Sequence, residues 1–519
     1  MDINKTIKKV NTISNQEGGV FHKDANDRAL YNIAASFIYR NGGYMSDKER
    51  LKNLEMSIDE CIQSGDKNYV YALAWFLGKI QGIRLSPTLI TTKMVDYAIS
   101  SDDWNKITKI VQDVYTRPDF IANSLAYYKM SNNNKSIAQI NYHYKHILSK
   151  QLSSYNSLTL KKRKMKRREV KLADLIKVLR PYPKNEKMSK LYKDIIENNK
   201  GAALQVVVSS DGKIEKADSG IAVLSSDKID TSKKIEYLVN NINKLPLNEL
   251  IKNAKNIPDK YHAKIENRLI DAFINDNAQR FLNPFDLVLL SSNKPRMGGN
   301  RSIRNVFDNI LQNYFFASID FNCKNPVILM DISASMNFDI TKKISMNMAV
   351  LYLSFILPII LKGKLESFSY YDFDYTLTDR SLEIFTAIKE TGSYFQRPNE
   401  IADYFITDYQ YKTGGGTALL KCTQQAIEKN PDCDCLFIFS DEVTWADNIE
   451  WSTKIIPSRL HKKTFLFNVD PQRYSAFSKV DKITRVSGLD GKFIYMLNGL
   501  LNFPVFKKNI IKLFNNELS

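Results

Sequence analysis

The chain has 519 residues, 44% of them hydrophobic, and 74 Lys and Arg stand against 56 Asp and Glu for a net charge of +18. That length excludes a single ordinary core and fits two or three domains. The basic surplus biases the partners toward polyanions, and five cysteines at irregular spacing exclude a disulfide framework and point to a reducing cytoplasm.

The opening Met1-Asp-Ile-Asn-Lys5 lacks the basic and apolar regions of a secretory signal, so none is expected. From residue 27 to about 280 the pattern is helical. Arg28–Tyr39, Leu51–Ile62, Tyr69–Ile80, Thr88–Ile99, Trp104–Val114 and Ile121–Tyr128 each repeat apolar residues at three- and four-residue spacing. Short breaks such as Asn41-Gly-Gly43 and Ser86-Pro87 separate them. Repeated helices of this length predict an α-helical, HEAT-like solenoid, which offers surfaces suited to binding rather than chemistry.

Positive charge concentrates in Lys161-Lys162-Arg163-Lys164-Met165-Lys166-Arg167-Arg168, with Lys171 just beyond and Arg180 at the end of a helical stretch. Such a run is either a solvated arm or a phosphate-binding patch with strong salt dependence. Tyr142, Tyr144 and Tyr155 lie upstream and fit two roles, stacking on unpaired bases or filling the core beside Ile137, Ile140 and Ile147. Residues 204–230 read as a hairpin insertion turning at Asp211-Gly212. Lys294–Arg301 is a basic, glycine-rich connection before a helix from Ile303 to Ala317.

Val327–Met330 is an apolar strand that ends in Asp331-Ile-Ser333-Ala-Ser335. One carboxylate and two hydroxyls after a buried strand provide either a turn with a helix N-cap or oxygen ligands for Mg²⁺. The most apolar stretch, Ala349–Leu361, is broken by Pro358 and shorter than the ~20 residues of a membrane span, so it reads as a helix packed on the sheet. Lys412-Thr-Gly-Gly-Gly-Thr417 delivers a further hydroxyl before a helix from Ala418 to Glu428. Cys435–Ser440 is a second apolar strand, and it ends at Asp441. Cys433 and Cys435 have no Cys or His close in sequence, so zinc is not expected there. A late strand over Phe465–Val469 and helical segments from Met496 to Phe514 close the chain.

The order D-x-S-x-S, G-G-T, then an apolar strand with S-D resembles the metal-ion-dependent adhesion site of von Willebrand factor A domains. That resemblance implies an α/β doubly wound domain holding Mg²⁺ through Asp331, Ser333, Ser335, Thr417 and Asp441, with one position open to an acidic partner residue. A helical-repeat half joined to such a domain is similar to the Ro/TROVE family. Tyr71–Leu77 with Arg84-Leu-Ser-Pro87, Asp174–Pro181, Leu245–Ile251, Asn283–Leu289 and Thr444-Trp445 match its motifs in order. The resemblance implies a ring-shaped helical-repeat domain over residues 1–317 and an A domain over 318–519. It further implies a non-catalytic, cytoplasmic, monomeric ribonucleoprotein that binds small non-coding RNA or RNA 3′ ends, without specificity for DNA. Lys161, Lys162, Arg163, Lys164, Lys166, Arg167, Arg168, Lys171 and Arg180 are the RNA-binding candidates. Val170, Lys171, Leu172 and Arg180 depart from the family pattern at the surface used for Y RNAs, which weighs against that mode. A metal-dependent protein–protein adaptor is the competing reading. A nuclease lacks the paired carboxylates of two-metal chemistry and an adjacent general base.

Overall fold

The computed structural model describes residues 12–14, 20–23, 26–36, 47–131, 136–162, 169–199, 206–208, 214–217, 223–224, 226, 229–274, 284–291, 301–316, 321, 323–336, 339–341, 344–360, 368–391, 397–405, 417–442, 463–468, 474–475, 483–486, 497, 500 and 502–518. The chain divides into two compact units, residues 66–268 with 509–519, and residues 1–65 with 269–508.

The first unit is helical. Lys67–Trp75, Ser86–Met94, Ser101–Val114, Pro118–Ser131, Tyr142–Ser154, Leu172–Leu179 and Glu186–Ile196 follow one another; Ser86–Met94 packs on Lys67–Trp75, Ser101–Val114 and Pro118–Ser131, and Leu172–Leu179 on Pro118–Ser131, Tyr142–Ser154 and Glu186–Ile196. Lys67–Trp75 is buried continuously from Tyr69 to Trp75 and runs on as a wider turn over Phe76–Ile80. Gly78 lets that turn approach the next layer, since a Cβ there would overlap the Val114 side chain. Ser100 caps Ser101–Val114: its hydroxyl accepts from the Asp103 N–H at 3.2 Å, and the Asp103 carboxylate accepts from the Ser100 N–H at 3.1 Å. Two of the three upstream tyrosines belong to the core. The Tyr144 hydroxyl lies 3.1 Å from that of Tyr115 and 3.2 Å from that of Thr92, and the Tyr155 hydroxyl donates to the Tyr115 carbonyl at 2.6 Å. Tyr142 remains 78% exposed. Strands Val206–Val208 and Ile214–Ala217 pair antiparallel, so the expected insertion is a hairpin.

The second unit is built on a six-stranded sheet. Its strands are β1 Pro326–Asp331, β2 Ser369–Phe373, β3 Leu377–Asp379, β4 Cys435–Ser440, β5 Thr464–Asn468 and β6 Ile483–Val486, in the order β6-β5-β4-β1-β2-β3. All pairs are parallel except the edge pair β2–β3. Every residue of β1, β4, β5 and β6 is buried, as continuous apolar runs covered on both faces require. Leu436 and Ile438 share a core with Leu419 and Ala426 of the helix Leu419–Lys429. The alternate residues face the other way: Phe439 stacks on Phe467, which meets Tyr352 of the helix Met348–Ile360. Among the described residues no helix is long and apolar enough to cross a membrane.

The boundaries of the two units fall at residues 65/66, 268/269 and 508/509. The helix Asn26–Ser36 belongs with the sheet unit, because Tyr31 packs on Phe503 and Phe506 at ring distances of 6.1 and 5.4 Å and Arg28 donates to the Ile483 carbonyl at 3.0 Å. Pro284–Ser291 and Arg301–Ile310 also join it. Phe285 meets Phe355 at 4.6 Å, and Asp308 accepts from the backbone and side-chain N–H groups of Asn399 at 3.2 and 3.1 Å. Burial pushes the Asp308 carboxyl up to about 7. These are contacts between segments far apart in sequence, and helical periodicity does not encode them.

Candidate functional site

The sheet reverses its direction of growth between β1 and β4. After β1 the chain builds outward through β2 and β3, then returns to lay β4 on the other side of β1. The crevice beyond the carboxyl ends of two such strands is where open α/β sheets bind ligands. Asp331 ends β1 and Asp441 follows β4 at this edge, both fully buried. The pairing Met330↔Phe439 sets Asp331 beside Ser440, whose hydroxyl donates to Asp331 Oδ2 at 2.6 Å. The Ser333 N–H donates to Asp331 Oδ1 at 2.9 Å, and the Ile332 N–H to the Phe373 carbonyl at the end of β2. Thr417, 2% exposed, is held at the same edge because the Ala418 N–H donates to the Asp374 carbonyl at 2.8 Å.

Asp331, Ser333, Thr417 and Asp441 are all buried, with Asp331 and Asp441 at the carboxyl ends of the paired strands β1 and β4. The side chain of Ser335, the glycine turn 412–416 and Thr444-Trp445 lie outside the described residues. Every donor of the set is oxygen. Burial pushes the Asp331 carboxyl up to about 6, and the neighbouring charge of Asp374 adds to the rise. Asp331 and Asp441 are buried carboxylates at the ends of neighbouring strands, a setting that favours a nearby positive charge, and an all-oxygen set suits Mg²⁺.

A second layer was not read from the sequence. Glu442 takes a left-handed backbone conformation at φ 60°, which turns its side chain beneath the crevice. There Arg485 of β6 donates to Glu442 Oε2 at 2.5 Å with both side chains 0% exposed, and Asn468 of β5 donates to the same oxygen. The available signal was an Arg interrupting the short strand Ile483-Thr-Arg-Val486.

The RNA candidates lie in the helical unit. Arg163, Lys164, Lys166, Arg167 and Arg168 fall outside the described residues. Lys161 and Lys162 are half-buried at the end of Ser157–Lys161, and Lys162 pairs with Glu249 at 3.4 Å. Lys171 and Arg180 are exposed at the two ends of Leu172–Leu179, where Asp174 accepts from the Lys171 N–H at 2.9 Å and Arg180 sits at φ 50°. The structure adds a groove of about 320 Å³ between Ser101–Val114 and Tyr142–Ser154, lined by Trp104, Gln112, His143, His146 and Lys150. Trp104 and His143 pack ring on ring at 5.1 Å, with the exposed Tyr142 edge-on to His143 at 5.8 Å. The sequence signal was two stripes at helical spacing, Trp104-Thr108-Gln112 and His143-His146-Lys150.

No protein-family profile matches the sequence, and no curated protein matches it. Among solved structures the fold is similar to the crystal structure of the Ro (RSR) protein of Deinococcus radiodurans, with a TM-score of 0.50 and 11% identity, covering 92% of this chain and 100% of that one. At that identity the likeness is one of fold, and it bears out the resemblance read from the motifs.

Proposed function

We propose that this chain is a non-catalytic RNA-binding protein of Ro type. Its helical unit holds single-stranded RNA, such as the 3′ end of a small non-coding RNA. Its α/β unit is a von Willebrand factor A-like domain with Mg²⁺ at Asp331, Ser333, Ser335, Thr417 and Asp441. The observation that carries the reading is the groove beside Tyr142–Ser154, where the Trp104 and His143 rings pack together next to His146 and Lys150. Rings accept any base on their faces and ammonium groups track the phosphates, the two parts of a single-strand binding surface. The basic run from Lys161 to Lys171 follows this helix in the chain, and the net charge of +18 favours a polyanion. The fold shared with the Ro protein is consistent with this reading.

Binding fits the strand-end crevice better than catalysis. Both Asp331 oxygens accept structural hydrogen bonds, and Glu442 is taken up by Arg485 and Asn468. Mg²⁺ when bound supplies an open position for an acidic group; the chain's residues only hold and orient it.

Fluorescence anisotropy with a labelled single-stranded RNA tests the proposal. Lys150→Glu and His143→Ala, both at exposed positions, are expected to weaken binding by about 1–3 kcal/mol together. Affinity equal to the unchanged protein would remove the groove from the RNA path. Asp331→Ala is expected to abolish Mg²⁺ binding in calorimetry while RNA affinity stays within twofold. A parallel loss of RNA would mean that the two units act as one site.

A further inference from the structure

The structure brings a second set of metal-ligating side chains together at the opposite, amino-terminal edge of the sheet. Cys435 opens β4 and pairs with Pro326, the first residue of β1, so the residues preceding Pro326 lie beside those preceding Cys435. Cys323 Sγ, Cys435 Sγ and a carboxylate oxygen of Asp434 thereby fall within 4.8 Å of one another. No Cys or His lies close to Cys435 in sequence, but parallel register brings Cys323 to it from more than a hundred residues earlier in the chain.

We propose that Cys323, Asp434 and Cys435 form a site for a thiophilic divalent cation of the zinc class, separate from the Mg²⁺ crevice. The donor chemistry is the first argument. Two sulfurs and one carboxylate oxygen select a borderline-soft cation, whereas the all-oxygen set around Asp331 selects a hard one. The spacing is the second. With bonds of about 2.3 Å to sulfur and about 2.0 Å to oxygen, a tetrahedral cation holds its sulfur and oxygen ligands about 3.5 Å apart. Cys323 Sγ lies 3.4 Å from Asp434 Oδ1.

Positioning of the carboxylate is the third argument. Asp434 accepts from the Lys324 N–H at 3.0 and 2.9 Å and from the Asn325 N–H at 2.7 Å, so the hairpin of backbone before β1 orients it. Orientation of a ligand by such outer hydrogen bonds is typical of metal sites. Cys435 is fully buried and Cys323 half-buried, and three protein ligands leave a fourth position for water or a partner group. On binding, each thiol releases its proton to solvent and the cation takes two thiolates and one carboxylate. Cys433 stands apart: its thiol donates to the Cys435 carbonyl at 3.1 Å.

The test is titration of the reduced full-length protein with Co²⁺, followed by displacement with Zn²⁺. One equivalent of Co²⁺ is expected to give a sulfur-to-cobalt charge-transfer band and the visible absorption of a tetrahedral ion, both erased by one equivalent of Zn²⁺. Cys323→Ser should lose both signals and the bound equivalent; its half-buried position makes it the variant of choice if Cys435→Ser does not fold. Cys422→Ser and Asp331→Ala should keep the signals. Cobalt bound without the charge-transfer band, no cobalt bound, or signals that survive Cys323→Ser would each overturn the site. Loss of the signals in Asp331→Ala would overturn its separation from the Mg²⁺ crevice.

Discussion

Replacing Arg485 by Met is expected to lower the unfolding free energy by about 3–5 kcal/mol, the cost of leaving one member of a buried ion pair alone. The Arg485 and Glu442 side chains are both 0% exposed, and after the substitution the Glu442 carboxylate keeps the Asn468 amide but loses its guanidinium partner. Urea unfolding followed by circular dichroism measures the loss. The double variant Glu442→Gln/Arg485→Met should lose less than the sum of its singles, because no stranded charge remains. Mg²⁺ affinity should fall in the Arg485 single as well, since Glu442 follows the candidate ligand Asp441 and fixes the turn behind it. A single variant that unfolds within 1 kcal/mol of the unchanged protein would mean that the pair is solvated in solution and does not pin that turn.

Reversing Lys162, Arg163, Arg167 and Arg168 to Glu is expected to abolish measurable RNA affinity while leaving the fold intact. If each cation neutralises one phosphate of a single strand, the slope of log affinity against log salt should become shallower by about 3. Lys162→Glu also sets a second carboxylate beside Glu249, whose pair at 22% and 13% side-chain exposure is mostly buried, so the reversal of Arg163, Arg167 and Arg168 alone serves as the variant that keeps this pair. Intermediate reversals keep the affinity measurable, and their slopes should fall stepwise. An unchanged slope would move the RNA surface away from this run.

The helices were legible because their apolar residues repeat at the spacing of one helix face, and the sheet strands because residues buried on both sides are apolar without a break. The strand-end crevice was legible for a related reason. Asp331 and Asp441 each follow an uninterrupted apolar strand, so their place at a carboxyl edge is written locally. Three things depended on partners that local patterns do not name. Tyr144 and Tyr155 fit both a stacking platform and a core by sequence; the hydroxyls of Tyr115, Ser124 and Thr92 around Tyr144, and the Tyr115 carbonyl that accepts from Tyr155, place them in the core. Arg485 meets Glu442, and Cys323 meets Cys435, only through the register of neighbouring strands. The helix Asn26–Ser36 joined the sheet unit through Phe503 and Phe506, at the far end of the sequence.

The account rests on RNA binding by the helical unit, and the most direct measurement is ultraviolet crosslinking in the native host followed by sequencing of the attached RNA and mapping of the attached peptides. It predicts a defined set of small RNAs or RNA 3′ ends, attached within residues 142–171. Recovery of no RNA above background, with a protein partner retained only in the presence of Mg²⁺, would contradict it and make the chain an adaptor that grips an acidic residue at Asp331 and Asp441.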